Sequence, residues 1–107
     1  MVERAVEVLA QYRAHMGLLL DDPSASDSYL DASNALDQLR ALSSIDASLS
    51  VPMVQVLIAH TEVVAFLAFP PRIIKPRGSL RAWTRQAEAC EFLQERCDRL
   101  VLQLRSA

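Results

Sequence analysis

From Val51 to Phe69 almost every residue is apolar, and this stretch limits the fold more than any other part of the chain. Its polar members, Gln55, His60, Thr61 and Glu62, are too few to make a polar face. A segment of this kind sits at the centre of a fold, is covered by a partner, or enters a bilayer. A bilayer is disfavoured by the acid in its middle, so a buried helix is the expected reading and no membrane contact is expected. In a helix, Met53, Leu57, His60, Val64 and Leu67 share one face at spacings of four and three. Gln55 and Glu62 fall opposite, with Phe66 and Phe69 near them. The valine-rich halves could instead form a strand pair turning at residues 59–62, but that turn has no Gly, Asn or Pro.

The other segments read as helices with a conventional apolar stripe. Val2, Ala5, Leu9, Tyr12, Met16 and Leu19 recur at three and four over residues 2–20. Asp21-Asp22-Pro23 stops this helix, because the residue before a proline is pushed out of the helical region. A second helix opens at Ser24 or Ser26, with Asp27 and Asp31 suited to its positive end. Its inner stripe is Tyr29, Ala32, Leu36, Leu39 and Leu42. Residues 43–50 read as a serine-rich loop that Ile45 and Leu49 tack to the core. After Phe69 the run from Pro70 to Gly78 is expected to be extended, and Ser79 to cap a last helix reaching about Arg105. The seam of that helix is Trp83, Ala87, Cys90, Leu93, Cys97, Leu100 and Leu104; Phe92 lies off it, and Glu95 and Arg99 form an i,i+4 pair. With only two glycines in 107 residues, an all-β fold lacks its turns. The fold class is all-α: a compact antiparallel helical bundle of four to five helices, forming a single helical interaction domain over residues 1–107.

Chemistry is tested against the same residues. Cys90 and Cys97 are two helical turns apart, about 10.5 Å along the axis, too far for a disulfide. They are expected to pack as small apolar residues. The only histidines are His15 and His60, and no metal-binding spacing, phosphate loop or nucleophile motif accompanies them. His60 and Glu62, two apart on a helix, point to different faces; His60 is expected to be a core or helix-end histidine with one hydrogen-bond partner. No catalytic residue, metal or cofactor is assigned, and the chain is expected not to be an enzyme. The first residues lack the basic-then-apolar order of a secretory leader, so an intracellular protein is expected. Residues 1–50 carry eight acids and three bases, whereas residues 51–107 carry five acids and eight bases. Five of those bases, Arg72, Lys75, Arg77, Arg81 and Arg85, lie close together, a patch for an acidic partner. Nucleic acid is not the expected partner, because stacking aromatics beyond Trp83 are missing from that patch.

Two short patches resemble a known family. The run Asn34-Ala35-Leu36-Asp37-Gln38-Leu39-Arg40-Ala41-Leu42 is similar to the ALDxLxxL helix of the TFIIS N-terminal domain family. His60-Thr61-Glu62-Val63-Val64-Ala65-Phe66-Leu67 is similar to the HTExxxxL stretch of its integrase-binding members. The order of elements agrees over most of residues 1–90. The chain departs from the family in a longer connection from Leu42 to Thr61, in Pro70-Pro71, and in an early Trp83. The resemblance implies a nuclear scaffold of transcription-elongation or chromatin machinery that captures short disordered acidic motifs with an aromatic anchor. It places the apolar contact on Ile73, with Ile74 adjacent, and the basic neighbours at Arg72 and Lys75. It assigns the second wall to the first interhelical loop, Asp21 to Ser26, with Asp21 and Asp22 as its candidate contacts. It also implies a helix break at His60–Thr61 with Thr61 as a cap, and this break is placed ahead of the continuous helix that periodicity favours.

The leading expectation is therefore a non-catalytic protein-interaction module. Its interaction signals are the Ile73/Ile74 loop, the all-round apolar third segment with Phe66 and Phe69, and Phe92 outside the last seam. The competing expectation is a helical-bundle subunit or homo-oligomer with no peptide groove, whose third segment is covered by another subunit.

Overall fold

The computed structural model describes residues 2–22, 26–44, 46–68 and 76–106. Four α-helices make up the fold, α1 (Val2–Asp21), α2 (Ser26–Ser43), α3 (Ser50–Ala68) and α4 (Pro76–Ser106), with one 3-10 turn (Ala47–Leu49) leading into α3. No strand occurs among the described residues. The architecture is an all-α antiparallel bundle built from two helix pairs. α1 packs along α2, α3 packs along α4, and the pairs join chiefly where α1 lies against α4.

The amphipathic stripe of α1 is realised in full among its described side chains. Ala5, Leu9, Tyr12, Met16 and Leu19 are buried, and Val8 joins them. The helix ends where the proline signal predicts, with the Asp22 N–H donating to the Leu18 carbonyl (2.9 Å). In α2 the buried residues are Ala32, Ala35, Leu36, Leu39 and, at its end, Ser43. Tyr29, expected inside, is exposed: it belongs to the first turn of α2, beside the exposed Leu30. The serine-rich connection is tighter than a loop. Asp46 caps the 3-10 turn, its carboxylate accepting from the Ser48 N–H (2.8 Å) and the Ser48 hydroxyl (2.7 Å). Those bonds hold the Asp46 carboxyl below its ordinary pKa. Leu49 is sealed into the core as expected, and Ile45 lies outside the described residues.

α3 corrects the sequence reading twice. It is one continuous helix through His60 and Thr61, and the Thr61 hydroxyl donates back to the Leu57 carbonyl (2.9 Å) instead of capping a new helix. The core face is also rotated from the expected one. Pro52, Met53, Val56, Ala59 and Val63 are buried, with Leu57, His60 and Phe66 half-buried around them. A helix apolar on every side has no periodic signal to set its phase. Ala59 of α3 and Ala89 of α4 are both buried and line the same groove.

α4 starts at Pro76, three residues before the expected Ser79 cap. Proline suits the first helical position, where its missing N–H would have no helical partner. Buried along α4 are Ala82, Gln86, Ala89, Cys90, Leu93 and Cys97. Trp83 and Leu100 are half-buried, and Ala87 and Leu104, both placed in the seam from sequence, are exposed. The reason for Leu104 is length. α4 has 31 residues against 20 in α1, a difference of about 16 Å of helix. Tyr12 lies level with Gln86 in the antiparallel α1/α4 contact, so the last turns of α4 pass the start of α1. The overhang accounts for a longest dimension of 54 Å.

Candidate functional site

Two places could carry function: a polar cluster where α1, α3 and α4 meet, and the outer surface of α3. The cluster is built on Tyr12, whose ring is fully buried. A buried phenol keeps a hydrogen-bond partner, and this one has two. The Tyr12 hydroxyl donates to His60 Nδ1 (2.6 Å), and the Gln86 amide donates to the Tyr12 oxygen. With Nδ1 accepting, neutral His60 carries its proton on Nε2. Burial lowers the His60 pKa, the Asp37 charge opposing it only in part. Burial also drives the Tyr12 pKa upward. A phenol with no accessible surface, held in its neutral form, cannot meet a substrate; it ties three helices together. This agrees with the expectation of a structural His60 with one partner.

The cluster borders a groove between α1 and α4. Its walls are Met16, Gly17 and Leu20 on one side and Trp83, Ala87 and Cys90 on the other, with Arg13 at the mouth and buried Gln86 at the floor. Its volume is about 200 Å³, below the roughly 300–1,000 Å³ of pockets that enclose small molecules. It suits a single side chain. The two cysteines are free and buried, and burial pushes each thiol up to about 11, so both stay protonated and pack as the sequence suggests. No cluster of three or more metal-ligating side chains exists among the described residues.

The outer surface of α3 is different in kind. Val51, Val54 and Ile58 are 63%, 50% and 56% exposed. Thr61 and Ala65, also exposed, continue the same row at spacings of three and four. On one side the row borders a groove of about 390 Å³ lined by Gln55, Ile58 and Glu62 from α3 and by Arg85, Glu88 and Phe92 from α4. The Arg85 guanidinium reaches both Glu62 carboxylate oxygens (3.0 and 3.3 Å) across its rim. Phe92 is exposed as expected, with the Arg96 guanidinium 5.6 Å from its ring centre. On the other side, Arg40, Ser43 and Ser44 of α2 face Ser50, Val54 and Leu57. Residues 47–66 are also long and apolar enough to cross a membrane, by length and composition alone.

Of the residues assigned to partner binding from sequence, Arg72, Ile73, Ile74 and Lys75 lie outside the described residues. Asp21 and Asp22 are exposed at the C-terminal end of α1, directly after Leu20 and about one turn beyond Gly17 of the α1/α4 groove. Phe66, assigned to the outward side of α3, packs against the core. Gln86 was missed. The signal for it was the tyrosine on the inner stripe of α1, whose hydroxyl required a polar residue on a facing helix. No family model, no curated protein and no solved structure matches the chain.

Proposed function

We propose that this chain is a non-catalytic protein-interaction module, a helical core that supports itself and offers the outer face of α3 to a protein partner. One observation carries the reading: three large aliphatic side chains in a row, Val51, Val54 and Ile58, are half or more exposed on a helix whose opposite face is sealed. Isolated exposed aliphatics are ordinary, but contiguous ones mark a contact surface. The reading is tested by a photo-reactive residue placed at Ile58 and, separately, at exposed Glu91 on α4. Discrete protein adducts at position 58 and none at 91 are expected. Absence of adducts at 58 removes the reading.

A second reading keeps the TFIIS-like peptide capture, with Ile73 and Ile74 as the apolar contact beside Arg72 and Lys75, in a nuclear transcription or chromatin scaffold. The observation that favours it is the α1/α4 groove, whose size fits one anchoring side chain and whose wall includes Trp83. Burying a phenylalanine contributes about 1.5–3 kcal/mol before ordering costs. Replacement of Ile73 by Asp is expected to abolish binding of an acidic phenylalanine-containing peptide while leaving the melting temperature in place. Unchanged binding rejects this second reading.

A further inference from the structure

We propose that the groove between α1 and α4 binds a small aromatic acid whose ring carries a hydrogen-bond donor, with an indole carboxylate as the type. This goes beyond both readings above, because the occupant is a small molecule and the site lies apart from the outer face of α3.

Three features of the groove converge, and the fold uses none of them. The first is Gly17. A glycine inside a helix weakens it relative to alanine, and no packing demands one here: a Cβ at position 17 would meet nothing within 4 Å. The missing side chain leaves open the space beside Met16 and Trp83. The second is Gln86 on the floor, 4% exposed. Its amide nitrogen donates to Tyr12, and its oxygen has no hydrogen-bond partner among the described residues. Buried carbonyl oxygens are ordinarily paired. With the nitrogen turned inward to Tyr12, the oxygen is the polar group that Gln86 holds for whatever enters. The third is Arg13 at the mouth, the one charged residue among the described lining. Leu9, Ala10, Met16 and Gly17, one turn to either side of it, offer no acid, and no described residue forms an ion pair with it.

Together these features select the ligand. Met16, Leu20 and Ala87 take an apolar body, and the flat face of Trp83 favours a ring. The Gln86 oxygen takes an N–H or O–H from that ring. Arg13 takes an anion that stays in water at the mouth, so only the ring needs the volume of about 200 Å³. A sugar or a phosphate would lose water from its polar groups against apolar walls. An aliphatic acid answers Arg13 and leaves the Gln86 oxygen bare; a phenylalanine side chain likewise brings it no donor.

Titration of the full chain with indole-3-propionate, read by two-dimensional NMR, tests the proposal. Trp83 is the only tryptophan, so its indole N–H gives a single resonance on the wall of the site. That resonance is expected to shift saturably, with a Kd of ~1 mM or tighter. Gly17→Leu and Ala87→Leu fill the groove from opposite walls at exposed positions. Both are expected to abolish the shift with no fall in melting temperature. Arg13→Gln is expected to weaken binding several-fold and to remove its dependence on salt. Benzothiophene-3-propionate, similar in shape but without a ring donor, is expected to bind about tenfold more weakly. An indole resonance that does not move at millimolar ligand overturns the proposal. So does a shift that persists in both filled variants, an affinity indifferent to Arg13→Gln, or equal binding of the two acids. Each of these outcomes leaves the reading of the outer α3 face untouched.

Discussion

Val56 and Ile58 are two residues apart on α3, both β-branched aliphatics, yet Val56 has no accessible surface and Ile58 is 56% exposed. Nothing in the side chains separates them. Their neighbours do: Val56 sits in the core cluster that gathers all four helices, while Ile58 lines the edge of the groove against α4 and stays exposed. Apolar composition therefore reports how much surface α3 can bury, and only packing reports how much it buries within this chain.

The contrast is broken most forcefully by a charge. Val56→Asp leaves a carboxylate without a partner in the core and is expected to prevent folding. The buried large-to-small change Leu93→Ala is expected to cost about 2–5 kcal/mol. Ile58→Asp is expected to change stability by no more than about 0.5 kcal/mol. Urea denaturation of the three variants measures all of this, and equal losses at Val56 and Ile58 would show that the outer face is not free. The Tyr12 cluster provides an effect between those of Leu93→Ala and Ile58→Asp. Tyr12→Phe leaves the Gln86 amide without its acceptor and His60 without its donor, and is expected to cost about 1–3 kcal/mol in the same experiment.

The smallest effect is a dependence on pH. His60 has its pKa lowered from the ordinary 6.5 by burial, so below that value the unfolded chain takes up a proton more readily than the folded one. The associated stability is present above pH 6.5 and is lost as pH falls through and below it towards the folded value. His60→Gln is expected to flatten that part of the stability profile. A wild-type profile no steeper than that of the variant would mean that the histidine is not held neutral.

The inner stripe of α1 is legible in the sequence because apolar and polar residues alternate there with a helical period, and the structure buries every described member of it. α3 hides its orientation because apolar side chains on all sides carry no phase. Met53 is buried as expected, yet Leu57, His60 and Val64 are only half-buried, and Val56, Ala59 and Val63 fill most of the inner face. The resemblance to a family with a broken helix pulled the reading of Thr61 further off, whereas the uninterrupted hydrogen-bonding of α3 absorbs that threonine without a break. The outer row was also legible in part, since a helix with no polar face must expose something. What could not be read was which residues stay outside, because that depends on where α2 and α4 come to lie.

The projecting end of α4 has a practical side. Leu102 and Leu104 are more than three-fifths exposed, and the buried part of the helix ends with Cys97 and half-buried Leu100. Shortening the chain to Val101 would remove the last five residues of α4, of which residues 102–105 are exposed. A fluorophore or tether attached there would report on the body of the molecule from outside it, some turns away from both the tyrosine cluster and the Ile58 row.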